Sequence, residues 1–144
     1  MNPYISQYTT IYTFPAGTHS LNVATQVSNG LLYGASRLLN ATGPITVCSS
    51  TLTGTVRNLT SLAFGSVKKL GIGAFLQASD GNLWSTSNAG GTDCYGTVFA
   101  VSTSRALVED ISLDGTKGAY PLAGVIQTTG ATIYLTMTDR GRDS

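Results

Sequence analysis

The stretch FLQASDGNLWSTS, residues 75–87, decides how this chain is read. Two apolar-containing runs flank Asp80-Gly81, and Asp-Gly supplies the positive-φ positions that a tight type I′ turn demands. The spacing predicts a β-hairpin. Downstream, Asn88-Ala89-Gly90-Gly91-Thr92 reads as a loop and YGTVFAVS, 95–102, as a further strand. Near the end of the chain Ile133, Leu135 and Met137 alternate with Tyr134, Thr136 and Thr138, the period of a half-buried antiparallel strand. LAGVIQT precedes it, and the two are joined by a turn near Thr129-Gly130.

Upstream, Ile45 and Val47 share one face, while Leu52, Gly54 and Val56 follow the other parity. That switch predicts a bulge or turn near Ser49-Ser50. Leu21 and Val23 share a face, with Val27 further along. LLYGASRLL, 31–39, fits either a strand or a short helix weakened by Gly34, and RALVEDISL, 105–113, fits a strand or one helical turn. Gly71-Ile72-Gly73 lacks the third glycine and following helix of a dinucleotide loop, so close strand packing or a bulge is its reading. Many short strands with Gly-marked turns predict an all-β fold, an antiparallel sandwich or small barrel. No exact internal repeat and no interdomain linker is visible. Pro15-Ala16-Gly17 sets off residues 1–14 as a short N-terminal arm and leaves 15–144 as a single β domain.

Composition argues against chemistry. The chain holds one His, one Glu and two Cys, and 10% of its residues are charged, so the usual general acids, bases and nucleophiles are nearly missing. His19 has no serine motif near it. Glu109 and Asp110 are adjacent and point to opposite faces of a strand. Asp80 and Asp114 sit in turns, where Asp caps its own backbone. Cys48 and Cys94 fit no zinc pattern and are expected either as a disulfide or as two buried thiols, not as an essential crosslink. No catalytic residue, cofactor or metal is predicted. A net charge of +1 with dispersed Lys and Arg gives no basic stripe for nucleic acid, and no apolar run is long enough for a spanning helix. The two Asn-x-Thr sequons at Asn40 and Asn58 are put down to chance in a Thr-rich chain without a signal peptide.

Two features point to binding. The arm carries Tyr4, Ile5, Tyr8, Ile11 and Tyr12, an aromatic set expected to make subunit or lattice contacts. Trp84, the single Trp, reads either as core or, with Tyr33, Tyr95 and Tyr120, as an aromatic binding platform. The low charge favours association over an isolated soluble life.

Residues 70–102 resemble capsid decoration, or cement, proteins of tailed bacteriophages. The matching elements are Gly73-Ala74-Phe75-Leu76, Asp80-Gly81, Gly90-Gly91 and Gly96-Thr97-Val98-Phe99-Ala100. The resemblance ends after residue 103, where Pro121 and a second hairpin replace a short terminal strand, and coat and tail-tube subunits are similar as well. What it implies is a small virion structural protein, made in the host cytoplasm. Such a protein binds a major capsid protein and other copies of itself, often as a trimer, without nucleic acid or membrane. It carries over no site residue. The alternative expectation is a carbohydrate- or receptor-binding β module; the second is a coat or tail-tube subunit.

Overall fold

The computed structural model describes residues 9–38, 43–63 and 71–138. Among them there is no helix, and strand makes up 41%, well above the ~20–25% of ordinary domains. The first sheet contains β1 (Thr18–Ser20), β2 (Thr25–Gln26), β3 (Leu32–Leu38), β4 (Ile45–Ser50) and β5 (Val56–Leu62). β1 and β2 both pair with β3, on its two halves, and so act as one interrupted edge strand. The second sheet runs β6 (Leu76–Gln77), β7 (Leu83–Ser87), β8 (Thr97–Val101) and β9 (Leu107–Ser112) in chain order. A last pair, β10 (Ile126–Gln127) and β11 (Ile133–Tyr134), follows. Every pairing is antiparallel. Of the two readings left open for each stretch, strand is the one found at Leu32–Leu38 and Leu107–Ser112, where β-branched and aromatic neighbours across the sheet outweigh local helical spacing.

The core lies between the two larger sheets, stacked as in a sandwich; no barrel closes. Tyr33, Ala35, Ile45, Val47 and Leu62 from the first meet Leu83, Phe99 and Val101 from the second, with Val27, Ile72 and Phe75. Phe75 and Phe99 meet edge to face, their centroids 6.2 Å apart, within the roughly 4.5–7 Å range of aromatic pairs. β8 is buried along both faces, because a layer lies on each side of it. Outer strand β9 is exposed throughout.

One turn builds most of this. The hairpin at 78–82 forms as predicted, but its turn is a three-residue loop rather than type I′. Ala78 N donates to Asn82 O at 2.9 Å, Gly81 N donates to Ala78 O at 2.9 Å, and only Gly81 takes positive φ, +82°. This is a type I turn closed by a left-handed residue, whose extra residue matches strand twist. The same bond pair recurs at 27–31, 51–55, 102–106 and 128–132. The parity switch read near Ser49-Ser50 is thus the 51–55 hairpin turn. A separate register shift falls at Val47/Cys48, where Leu59 of β5 is the extra residue. Two of the five turns place a non-glycine in the left-handed position, Arg105 at +84° and Ala131 at +60°.

Three of these hairpins are also equivalent in sequence. TQVSNGLLY (25–33), LQASDGNLW (76–84) and IQTTGATIY (126–134) share Gln, then Ser or Thr two residues on, then an apolar-aromatic pair. The glutamines fall at 26, 77 and 127, 51 and 50 residues apart. The sequence reading saw no exact repeat, and identity is indeed low, but the structure shows a degenerate one. β2–β5 and β6–β9 are two four-stranded repeats, and β10–β11 opens a third.

Candidate functional site

The repeats are joined by a ladder of side-chain bonds. Oε1 of Gln77 accepts from the Ser28 N–H at 2.9 Å, and Oε1 of Gln127 accepts from the Ser79 N–H at 2.8 Å. Each serine is the first loop residue of the preceding repeat's hairpin, where the turn leaves its N–H unused. The amide end of Gln26 and of Gln127 donates back to its own hairpin, to Gly30 O at 3.3 Å and Ala131 O at 3.2 Å. Gln127 thus braces its own turn and reaches the repeat before it. This requires both an amide donor and an amide acceptor, which explains the residue type.

Deeper in the stack the backbones nearly touch. Asn22 Nδ2 donates to Gly73 O at 2.9 Å while its Oδ1 accepts from Ala35 N at 2.8 Å. Ser85 Oγ donates to the same Gly73 O at 2.7 Å, and Thr86 Oγ1 donates to Ala123 O at 2.7 Å. A Cβ on Gly73 would lie 2.7 Å from Ala123 O and from Thr86 Oγ1, and 2.8 Å from Gly124 Cα. The close-packing reading of Gly71-Ile72-Gly73 is met at Gly73.

The stacking uses opposite faces of equivalent sheets. Tyr33, Ala35 and Val47 of the first repeat face the second. Their equivalents Trp84, Thr86 and Val98 lie on the side of the second that faces the third. The aromatic at this position records how much cover follows it. Tyr33 is 1% exposed under a full sheet, Trp84 is half-buried under a two-stranded one, and Tyr134 is 52% exposed. Its cross-strand partner Ile126 is 65% exposed. At the opposite end Ile11, Tyr12 and Phe14 lie over the near face of the first repeat and leave a groove of ≈ 170 Å³ that Leu32, Gly34, Cys48, Ser50 and Val56 also line. Gly34 and Cys48 stand where the second repeat has Ser85 and Phe99, so the smaller side chains open the groove. Burial there raises the Cys48 thiol pKa.

The predicted contact residues divide. Tyr4, Ile5 and Tyr8 lie outside the described residues. Ile11 and Tyr12 wall the groove on their own first sheet while each stays about two-fifths exposed, at 43% and 40%; Tyr12 meets Phe14 edge to face. The aromatic platform is not assembled. Tyr33 is core, Tyr95 pairs with Tyr120 at 5.8 Å, and the Trp84 indole N–H donates to Asp80 Oδ2 at 3.1 Å within its own hairpin. Asp80 also accepts from the Asn82 N–H and amide. Slight burial raises its pKa, but these bonds outweigh that and hold it below the usual carboxylate value. Asp114 is lowered by Thr116, whose hydroxyl and N–H both donate to it. Both aspartates brace turns. His19, Glu109 and Asp110 lie exposed on strands. Cys48 is buried, Cys94 is exposed, and both are free, so the expectation of two buried thiols holds for Cys48 alone. Among the described residues no group of three or more metal-ligating side chains gathers.

The residues that sequence reasoning passed over are Gln26, Gln77 and Gln127. Their signal was present as Gln-x-Ser/Thr before a hairpin at near-constant spacing. Comparisons with protein-family models, with curated proteins and with solved structures found no match.

Proposed function

We propose that this chain is a structural β module that works inside an assembly and performs no catalysis of its own. The observation that carries this is the repeat stack with an apolar face exposed at the third pair of strands. Ile126 and Tyr134 lie open there, whereas at the other end Ile11, Tyr12 and Phe14 lie against the face of Leu32, Cys48 and Val56. A stacked repeat cannot bury its own outer face and relies on a neighbour or cap to do so. The sparse charge supports the same reading, since little electrostatic repulsion opposes packing against a partner. Its narrower form is a virion accessory subunit on a capsid lattice, as the resemblance of residues 70–102 suggests. Co-sedimentation of the purified chain with capsid shells tests that form: saturable binding at a fixed ratio to the major capsid protein is expected. A chain that stays in the supernatant, and is missing from purified particles, removes the virion reading.

A further inference from the structure

We propose that Asn29 is a self-modification site, a deamidation centre that the folded first hairpin holds off through the Tyr33 hydroxyl. Asn29-Gly30 is the chain's single Asn-Gly dipeptide. Glycine after asparagine matters because no Cβ hinders the following backbone nitrogen from reaching the side-chain carbonyl carbon. The step balances without a redox partner. The Gly30 nitrogen gives its proton to solvent base and bonds to Asn29 Cγ; the Cγ–Nδ2 bond breaks, and Nδ2 takes up a proton and leaves as ammonia. Water then opens the cyclic imide. Attack at one carbonyl gives aspartate at position 29; attack at the other gives isoaspartate, whose main chain runs through the former side chain. Asn29 and Gly30 are exposed, so base and water reach them. The folded turn nevertheless opposes the reaction. The Gly30 N–H is committed to Val27 O at 2.9 Å. Asn29 Oδ1 accepts from the Leu31 N–H at 3.0 Å, and Nδ2 donates to Tyr33 OH at 2.8 Å. The side-chain amide is thus pinned at both ends, and one pin is a core residue only 1% exposed. Cγ cannot swing onto the Gly30 nitrogen until those bonds let go. The second hairpin shows what the product would meet. There the equivalent residue is already an aspartate, Asp80, which accepts from the Asn82 N–H at 2.9 Å and the Trp84 indole N–H at 3.1 Å. A carboxylate at 29 keeps both of its partners, since a tyrosine hydroxyl can donate as well as accept. Isoaspartate does not: its extra main-chain carbon falls inside the 27–31 turn and displaces the Ser28 N–H from Gln77 Oε1. Opening of this turn therefore starts a one-way reaction, of which one product preserves the first seam and the other loosens it.

Peptide mapping by mass spectrometry of the full chain, incubated in mildly alkaline buffer with and without urea, tests this. In urea Asn29 is expected to react ahead of Asn22, Asn58, Asn82 and Asn88. It should also react about tenfold or more faster there than in the folded chain, because the folded reaction waits for the turn to open. Gly30→Ala in urea, where the fold plays no part, should nearly stop it. Tyr33→Phe, with a circular dichroism spectrum like the parent's, should speed Asn29 in the folded chain by about 2–10-fold, the range of one net hydrogen bond. Val98→Ala, on the far face of the second sheet, controls for lost stability and should speed Asn29 less than Tyr33→Phe does. In the parent alone, the Asn29 rate should follow exchange of the Gly30 amide as temperature changes, which decides the matter even where Tyr33→Phe fails to fold. The isoaspartate product should show faster exchange at Ser28, and the aspartate product should not. No preference for Asn29 in urea, an unaffected Gly30→Ala, or a folded rate equal to that in urea overturns the inference. So does a Val98→Ala effect as large as that of Tyr33→Phe, or Asn29 and Gly30 rates that move independently.

Discussion

The 128–132 hairpin carries its glycine one residue too early. Gly130 has an ordinary φ and open space around a would-be Cβ, whereas the left-handed position is taken by Ala131 at φ +60°. The equivalent turns at 27–31 and 78–82 place Gly30 and Gly81 there. Exchanging the two residues, Gly130→Ala with Ala131→Gly, moves the glycine to the position that needs it. The composition is unchanged, so the unfolded-state entropy terms of the two substitutions cancel to first order. What remains is the steric cost of an L-residue in the left-handed region, about 1–2 kcal/mol. The double variant should be more stable than the parent by roughly that amount. For a chain of this size the gain is about 3–8 °C in midpoint. Each single substitution should contribute a share, about 0.4–1 kcal/mol for Gly130→Ala at a compatible site. Urea unfolding followed by Trp84 fluorescence measures the effect, and amide exchange at Thr128 and Thr132 localises it. A double variant equal to or less stable than the parent, with unchanged exchange at 128–132, would refute the claim that this turn shares the geometry of the other four.

Gly73→Ala should lose about 1–3 kcal/mol, because its Cβ would strike backbone atoms of Ala123 and Gly124; an unchanged melting midpoint counts against the close seam. The Asp80 carboxyl is lower in the folded chain than in the unfolded one. Its contribution to stability is therefore full above about pH 4 and fades as pH falls through the folded value; Trp84 emission, which reports the Asp80 bond, should change over that acid window in the parent and not in Asp80→Asn. With both thiols free, a thiol reagent should modify Cys94 at once and Cys48 only after unfolding, and reductant should leave the melting midpoint unmoved; two fast thiols, or none, would contradict the burial difference.

Local rules read the strands well because the strands are local. Asp80-Gly81 marks a hairpin whatever surrounds it, and Ile133, Leu135 and Met137 alternate in burial with Tyr134, Thr136 and Thr138 as their period demands. What failed was turn chemistry at the next level. A type I′ turn and a type I turn with a left-handed third residue both accept Asp-Gly, and the choice between them depends on the register of Ala78 against Asn82. The strand-or-helix ambiguity of LLYGASRLL likewise needed a partner to resolve it. Gly34 is unfavourable in a helix but pairs with Cys48 in a sheet, and that neighbour is not visible from the segment alone.

The repeat escaped the sequence reading for a physical reason. A seam between stacked sheets fixes only a few positions: the Gln that bridges two hairpins, the Ser or Thr whose N–H it receives, and the aromatic that crosses to the next sheet. Side chains elsewhere answer to their own layer. Phe99 fills the seam where a sheet lies on it, and its counterpart Cys48 faces a groove, so equivalent positions drift apart according to what covers them. Tyr33, Trp84 and Tyr134 hold the same place in three hairpins and yet span nearly the whole range of exposure. The sequence reading placed Trp84 in a contest between core and binding surface because it treated exposure as a property of the residue. In a stack, exposure belongs to the position along the series. A half-covered Trp84 follows from the second repeat having two strands of a third lying over it, and Tyr134, in those two strands, has no such cover among the described residues.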